Sequence, residues 1–188
     1  PLIVRSVSPA TTTTYTLTCT IDGCESLPVN SVVTVIPKPN AGPEQEICEP
    51  MMGVDLINAS TNQTWSFVSG PATASITSPA GIVTGMSASG DYVFQLSSTL
   101  AGCEDMVMVK RKVQPQPTVN NPEICLGESA TLTVEQCTGS VTWTMGSTSM
   151  IRTVKPAATT TYSFVCTTDG CESETITSTV TVNPLPVV

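Results

Sequence analysis

The chain has 188 residues, a net charge of −8 and a charged fraction of only 12%. An acidic surface that is poor in Lys and Arg argues against nucleic acid and anionic membranes as partners. Hydrophobic residues make up 40% of the chain but never run to the length of a membrane span, so we expect a folded protein without membrane insertion. No His is present, which excludes His-dependent hydrolase triads and His-based metal catalysis.

One segment of the chain occurs twice. Residues 9–39 and 156–186 align without a gap at an offset of 147, with 19 identities in 31 positions. Self-similarity at a fixed spacing is typical of tandem repeats. A valine-rich stretch followed by Pro-x-Pro ends each unit, at residues 35–39, 113–117 and 182–186. Because proline cannot donate to a β-ladder, these sites are predicted to be strand ends that lead into stiff linkers.

These observations predict three modules. The first module, residues 1–39, is the C-terminal part of a truncated repeat, and the middle module is residues 40–117. The last module is residues 118–188 and includes its Pro-rich exit linker. Because most of the first module is missing, we expect the chain to be an excerpt of a longer array.

Apolar residues alternate with Thr and other polar residues along most of the last module, which is typical of half-buried β-strands. Three predicted inward faces are Ala130/Leu132/Val134, Val141/Trp143/Met145 and Tyr162/Phe164/Cys166. The middle module follows the same plan, with room for an extra strand at residues 74–78. We therefore predict an all-β fold of antiparallel β-sandwich modules. The expected core aromatics are Trp65, Tyr92, Phe94, Trp143, Tyr162 and Phe164.

The eight cysteines predict disulfides in an oxidising environment, because their spacings do not match zinc knuckles. Two cysteines of the last module fall opposite Ala59 and Leu96 of the middle module, so both are absent there together, as expected for a bonded pair. Comparison of the modules therefore predicts the pairs Cys48–Cys103, Cys125–Cys171 and Cys137–Cys166.

Two cysteines of the first module, Cys19 and Cys24, match Cys166 and Cys171 of the last. We expect their partners to lie in sequence upstream of this chain. The alternative is a bond between Cys19 and Cys24 themselves, across the Asp-Gly turn.

The remaining polar motifs favour structural roles over catalysis. The Asp-Gly pairs at residues 22–23 and 169–170 lack the oxygen ligands of a calcium loop and are a strong hairpin signal. The Glu residues between 44 and 49, with the acidic pair at 104–105, lie at module ends without sugar-stacking aromatics, so we interpret them as a solvated rim rather than glycosidase carboxylates. The basic run at residues 110–112 is interpreted as edge or linker surface. We expect neither catalysis nor a cofactor or metal.

The runs at residues 12–19 and 159–166, the Asp-Gly-Cys turns and the Val-x-Pro-x-Pro exits resemble Ig-like repeats of giant surface proteins of Bacteroidetes. The stretches at residues 69–74 and 90–94, together with Trp65, resemble the related PKD-like repeats. The resemblance covers essentially the whole chain. It implies tandem Ig-like/PKD-like modules of SprB-like gliding-motility adhesins that the type IX system secretes.

The resemblance thus implies an extracellular, cell-surface chain with a structural and adhesive role, and it supplies no catalytic residues. Expected partners are neighbouring repeats of the same polypeptide, and beyond them surface polysaccharide or proteins of the cell envelope and the secretion machinery. The alternative function is that of carbohydrate-binding accessory modules of a secreted polysaccharide-degrading enzyme. Two coplanar, solvent-exposed aromatic rings would favour that alternative.

Overall fold

The computed structural model describes residues 4–100 and 102–187, which form strands, turns and extended linkers but no helix. Along the long strands, β-branched and aromatic residues alternate with polar ones, a pattern that favours half-buried extended backbone. Since these residues form no helix, none of them supplies a helix that is long and apolar enough to span a bilayer.

The first module is a small ladder without a core. Its strands are β1 (Thr13–Leu17), β2 (Thr20–Ile21), β3 (Cys24–Glu25) and β4 (Val29–Val33). Strand β1 pairs antiparallel with β4, and β2 pairs antiparallel with β3. From residue 4 to residue 38 no side chain is buried. Hydrogen bonding rather than apolar burial therefore holds this part of the chain in shape.

The middle module consists of two sheets around one core. Its strands are β5 (Gln45–Cys48), β6 (Val54–Asp55), β7 (Gln63–Ser69), β8 (Ser75–Ile76), β9 (Ile82–Thr84), β10 (Gly90–Ser98) and β11 (Glu104–Lys112). One sheet has the order β5-β11-β10-β7 and the other β6-β9-β8. Strand β8 lies where the sequence predicts an extra strand.

The last module repeats this two-sheet plan. Its strands are β12 (Thr118–Val119), β13 (Glu123–Cys125), β14 (Ala130–Glu135), β15 (Ser140–Trp143), β16 (Ile151–Val154), β17 (Thr160–Thr168), β18 (Cys171–Glu172) and β19 (Ile176–Asn183). One sheet has the order β13-β19-β17-β15, with β18 beside β17, and the other has the order β12-β14-β16.

Separate hydrophobic cores lie between the two sheets of the middle and last modules. Of the six aromatics predicted to be core residues, Tyr162 is half-buried against its core and the other five are buried. The indole N–H of Trp143 donates to the Ser149 carbonyl at 2.9 Å, and that of Trp65 donates to the Ile57 carbonyl at 3.0 Å. Both tryptophans thus satisfy their polar atom while filling the core.

A disulfide joins Cys137 to Cys166 within the last module, which is the pair that the sequence predicts. Cys166 stands opposite Val141 on the β15–β17 ladder, two residues from the Trp143 position. A bridge and a tryptophan in one core are typical of immunoglobulin-type sandwiches. The chain is therefore an all-β series of Ig-like modules.

Met145 departs from the predicted pattern. The sequence places it on the inward face with Trp143, but its side chain is 75% exposed. Strand β15 ends at Trp143, and Gly146 then takes a positive φ of 83°. The alternation that holds along a strand is lost in this turn, because its backbone is no longer extended.

Two strand pairs are parallel, although the sequence predicts antiparallel sheets throughout. The first strand of each complete sheet runs parallel to the exit strand: β5 beside β11 and β13 beside β19. As a result, β5 and β13 end on the side of the module where the exit strand also ends and the chain leaves the module. This geometry decides where the cysteines of β5 and β13 lie.

Candidate functional site at the module junction

A disulfide between Cys48 and Cys171 joins the middle module to the last module. The two Cα atoms are 5.5 Å apart, although 123 positions separate the residues in the sequence. Cys48 is the last residue of β5 and Cys171 is the first residue of β18. The bond therefore cross-links two modules rather than closing a loop within one.

The predicted pairs Cys48–Cys103 and Cys125–Cys171 are therefore wrong. Cys48 lies opposite Lys112 at the end of β11, whereas Cys103 immediately precedes the start of that strand. A nine-residue strand spans roughly 27–30 Å, far more than the ~4–7 Å between the Cα atoms of a disulfide.

The last module separates its two cysteines in the same way. Cys125 lies opposite Asn183, where β19 ends, and Cys171 lies opposite Thr168, where β17 ends. Because β17 and β19 are antiparallel, these two places are at opposite ends of the sheet. The sequence comparison correctly identified equivalent cysteines, but it assumed that pairs close within a module. The parallel first strand instead places the two cysteines at opposite ends of the sheet.

Polar contacts hold the Cys171 hairpin on both sides of the disulfide. The Lys112 ammonium donates to the Asp169 carbonyl at 2.8 Å, and the Gln114 side-chain amide donates to the Glu172 carbonyl at 3.0 Å. Lys112 also forms an ion pair with Glu46 on the neighbouring strand. The exit strand and linker of the middle module therefore bind the backbone of the hairpin, independently of its side chains.

The tight turn of this hairpin exposes backbone carbonyl groups to the middle module. Asp169 and Gly170 both have positive φ values, 51° and 80°, and the flanking residues Thr168 and Cys171 pair across the turn. The equivalent Asp22-Gly23 turn of the first module has φ values of 50° and 83°. The hairpin interpretation of both Asp-Gly pairs is thus confirmed, and glycine is suited to the second position because it accepts positive φ freely.

An ion pair between a buried arginine and a half-buried glutamate stabilises the loop that follows Cys48. The Arg111 side chain is 4% exposed, and it contacts the Glu49 carboxylate at 2.8 Å while its Nε donates to the Met51 carbonyl at 2.7 Å. The second carboxylate oxygen of Glu49 accepts the Gln114 backbone N–H at 3.3 Å. Arg111 thereby links the loop after β5 to the exit linker, the two segments that meet the hairpin.

Sequence reasoning missed this cluster. It assigned the basic run to edge surface and the nearby Glu residues to a solvated rim, whereas Arg111, Lys112, Glu46 and Glu49 all form ion pairs at the junction. One signal was present. Arg111 is in phase with the buried Val107 and Val109 along β11, so the period of two already predicted that it points inward.

The junction between the first and middle modules has its own ion pair. The Lys38 ammonium contacts the Asp105 carboxylate at 3.1 Å, and the Ala41 N–H donates to the other carboxylate oxygen at 2.9 Å. The Ala41 N–H and the neighbouring Lys38 ammonium together lower the pKa of Asp105 below its ordinary value. Here too, the exit linker of one module contacts the β10–β11 hairpin of the next.

The first and last modules carry exposed free thiols. Cys19 and Cys24 of the first module are exposed and unbonded, so the alternative Cys19–Cys24 bond is not formed. Cys125 of the last module is also an exposed thiol. In the part of the chain that the structure describes, no His, Cys, Asp and Glu side chains are grouped as a metal site would require.

A cleft of about 850 Å³ opens where the middle and last modules meet, and it contains no aromatic residue. Its lining includes Lys110 and Lys112 from one module and Gln136 and Asp169 from the other. All eight aromatic side chains of the protein are buried or half-buried. The chain therefore lacks the exposed pair of rings that would favour a carbohydrate-binding platform.

No family model matches the sequence, and no curated protein matches it. Among solved structures, the chain is similar to the I9–I11 tandem of titin, with 12% identity and a TM-score of 0.35 over 97% of this chain and 78% of that one. It is also similar to immunoglobulin domains 1–5 of Sidekick-1, with 15% identity and a TM-score of 0.31 over 97% of this chain and 47% of that one.

A third similar structure is an endo-fucoidan hydrolase of glycoside hydrolase family 107, with 13% identity and a TM-score of 0.31 over 95% of this chain. The chain spans 35% of the hydrolase and about half of the Sidekick-1 fragment. With TM-scores below 0.5, these similarities carry no argument about function.

Proposed function

We propose that this chain is a structural and adhesive segment of a long extracellular protein, in which serial Ig-like modules form a stalk. The observation that carries the proposal is the Cys48–Cys171 disulfide, because it joins successive modules instead of stabilising one. A stalk must hold its modules in a fixed relation to project a surface away from the cell. A covalent bond with hydrogen bonds on both sides supplies that restraint.

Disulfides support the extracellular part of this proposal, because they persist in oxidising compartments. Attachment to the cell surface, type IX secretion and a role in gliding motility are the finer part. Their support is the resemblance of the Thr-rich runs, the Asp-Gly-Cys turns and the Pro-x-Pro exits to repeats of SprB-like adhesins.

The proposed partners are neighbouring repeats of the same polypeptide, with surface polysaccharide or proteins of the cell envelope and secretion machinery as adhesion targets. We propose no enzymatic activity, because three of the acidic side chains considered as acid and base, Glu46, Glu49 and Asp105, are engaged in ion pairs at the junctions. The absence of His from the sequence points the same way. Repetition of modules would turn weak single contacts into avidity.

Small-angle X-ray scattering of the oxidised full chain tests the stalk. We expect a narrow distribution of interatomic distances for the native chain and a broader one for the double variant Cys48→Ser/Cys171→Ser. The matched control is Cys19→Ser/Cys24→Ser, which removes two exposed thiols without touching this junction. Identical scattering from all three proteins would contradict the proposal, because the cross-link would then restrain nothing.

A glycan array tests the adhesive part directly. Beads that display the oxidised full chain at high density are expected to be retained on the polysaccharide-coated spots of the array. The same chain applied as a monomer is not expected to be retained there. Equal retention of beads that carry an unrelated acidic protein would contradict an adhesive role. The stalk role would remain testable by scattering.

A further inference from the structure

The exit end of the last module has the same arrangement that holds Cys48 in the middle module. Cys125 ends β13 as Cys48 ends β5. Each cysteine stands in parallel register with the last residue of the exit strand, Asn183 in one module and Lys112 in the other. The two cysteines thus occupy equivalent positions in the fold.

The backbone after each cysteine continues this equivalence. The Leu126 N–H donates to the Asn183 carbonyl at 2.9 Å, and the Glu49 N–H donates to the Lys112 carbonyl at 3.0 Å. In both modules the chain therefore remains hydrogen-bonded to the exit strand for one residue beyond the cysteine. A turn follows each cysteine, and in both turns the cysteine carbonyl accepts a backbone N–H from three residues further along the chain at 3.0 Å.

The polar side chain beside each cysteine is also matched. Lys112 forms an ion pair with Glu46, and the Asn183 side-chain amide donates to the Glu123 carboxylate at 2.6 Å. In the middle module Lys112 further donates to the hairpin carbonyl of Asp169. The Asn183 amide group has a second N–H, so it can make the equivalent bond to a hairpin backbone.

The last module therefore has an edge of the kind that receives a hairpin, formed by Cys125 and Asn183, which we call the acceptor. The first module has a hairpin of the kind that is received, which we call the donor. The Cys125 thiol of the acceptor is exposed. Cys24 is an exposed thiol on a hairpin whose Asp22-Gly23 turn has nearly the same φ values as the turn that precedes Cys171. We propose that the edge formed by Cys125 and Asn183 accepts the Asp-Gly-Cys hairpin of another module of this kind, and that a disulfide from Cys125 closes that junction.

The short exit linker of the last module fits such a junction. Pro184 directly follows Asn183, and the first module has the same short Pro-x-Pro exit at residues 37–39. In that exit, Lys38 contacts Asp105 on the β10–β11 hairpin of the next module at 3.1 Å. A short exit therefore still delivers the following hairpin to the end of the module.

The bond forms by thiol–disulfide exchange. The Cys125 thiolate attacks a low-molecular-weight disulfide such as glutathione disulfide, which releases one thiol and leaves a mixed disulfide on Cys125. The hairpin thiolate then displaces the second small thiol. One protein disulfide forms, two protein thiols are oxidised and the small disulfide is reduced to two thiols.

This inference rests on the proposed stalk, because it names the partner of the edge formed by Cys125 and Asn183 within that stalk. In a longer array each module would bond the cysteine equivalent to Cys48 and Cys125 to the hairpin cysteine of the next module. The cross-links would then form a continuous series along the rod, with one disulfide at each junction of this type.

The test uses full-length chains that each retain one end thiol. The acceptor is Cys19→Ser/Cys24→Ser, which keeps Cys125, and the donor is Cys19→Ser/Cys125→Ser, which keeps Cys24. The matched control donor is Cys24→Ser/Cys125→Ser, which keeps Cys19, also an exposed thiol. Each donor is mixed with the acceptor in a glutathione redox buffer, and the products are mapped as peptides without reduction.

We expect a Cys125–Cys24 dimer in roughly tenfold excess over the Cys125–Cys19 dimer and over the symmetric Cys125–Cys125 dimer, because only the hairpin gains backbone hydrogen bonds at the junction. Equal yields, a Cys125 that is only capped by glutathione, or no dimer would overturn the inference. The same digest reports the Cys48–Cys171 peptide. If that peptide is present while Cys125 fails to discriminate, the stalk proposal stands and only this inference falls.

Discussion

The middle and last modules have the same two-sheet plan but hold their cores together differently. The last module joins Cys137 to Cys166 beside Trp143. In the middle module Ser98 stands at the position of Cys166, because Leu96 lies opposite Trp65 as Phe164 lies opposite Trp143. The core of the middle module consists of packed apolar side chains, and this fold therefore does not require a disulfide in its core.

The cysteines that both modules share serve a different purpose. Cys48 and Cys125 lie at the exit end of their sheets, and in the one junction where both partners are present Cys48 bonds to the next module. The difference between the modules thus separates two classes of cysteine. One class stabilises a single core and can be lost, whereas the other joins neighbours.

The largest expected effect comes from removing a core tryptophan. Trp143 is 1% exposed and its ring lies 4.8 Å from that of Phe164, centroid to centroid. We expect Trp143→Ala to lower the free energy of unfolding of the last module by about 3–5 kcal/mol, because it opens a large cavity. Hydrogen–deuterium exchange would show the loss in β15, β17 and β19.

The fluorescence of the remaining Trp65 is the control for that variant. The two cores are separate, so the denaturation midpoint that Trp65 reports is expected to stay unchanged. The reciprocal variant Trp65→Ala should leave the midpoint reported by Trp143 unchanged. If either variant shifted the midpoint of the other module, the two modules would unfold as one unit, which would contradict separate cores.

The next effect isolates the core bridge. The cysteines are 29 positions apart, and for a loop of this size Cys137→Ala/Cys166→Ala is expected to cost about 3.6 kcal/mol of stability in the last module. Urea denaturation followed by Trp143 fluorescence measures the cost. Reduction of the native chain should destabilise the last module by a similar amount and leave the middle core intact. Equal destabilisation of both cores would contradict the distinction between the two classes of cysteine.

A smaller effect is expected at Arg111. Its register partner on β5 is Ile47, and the equivalent pair in the last module is Val182 with Ile124. Arg111→Val gives the middle module the apolar residue that the last module has. We expect a loss of about 2 kcal/mol, because Glu49 keeps its charge in a half-buried position without its partner.

The double variant Arg111→Val/Glu49→Gln is the matched control for that loss. It removes the uncompensated charge, so thermal denaturation should show that it recovers part of the stability. If the single and double variants are equally unstable, packing rather than charge explains the role of Arg111.

The smallest effect concerns pH at the first junction. Because hydrogen bonding to the Ala41 N–H and the Lys38 charge lower the pKa of Asp105, its contact is fully present above the ordinary pKa of 3.8. The contact is lost as the pH falls through the lowered value, when the carboxylate is protonated in the folded chain. A nuclear magnetic resonance titration should show the Ala41 amide shifting in that acidic range. Lys38→Gln should raise the midpoint, and an unchanged midpoint would contradict the ion pair.

Much of the fold could be predicted from the sequence, because alternation reports directly which face of a strand is buried. Ala130, Leu132 and Val134 were assigned to one face on that basis, and all three are buried. Alternation fails where a strand ends, as it does at Met145. The position of the extra strand β8 follows from the length of the connection in which it lies, which is a local signal.

The junction could not be predicted in the same way. Alternation with a period of two shows which side chains point inward. It does not show whether the neighbouring strand runs parallel or antiparallel. The direction of β5 relative to β11 decides which end of the sheet Cys48 occupies, and therefore which cysteine it can reach. Contacts such as Lys112 with the Asp169 carbonyl also depend on how two modules meet, and no single strand encodes that information.

Peptide mapping of the oxidised chain without reduction identifies the cysteine pairs themselves. We expect a peptide that contains Cys48 joined to Cys171, together with one that contains Cys137 joined to Cys166. Recovery of Cys48 joined to Cys103, with Cys125 joined to Cys171, would contradict this expectation, since every cross-link would then close within a module and nothing covalent would hold the stalk together.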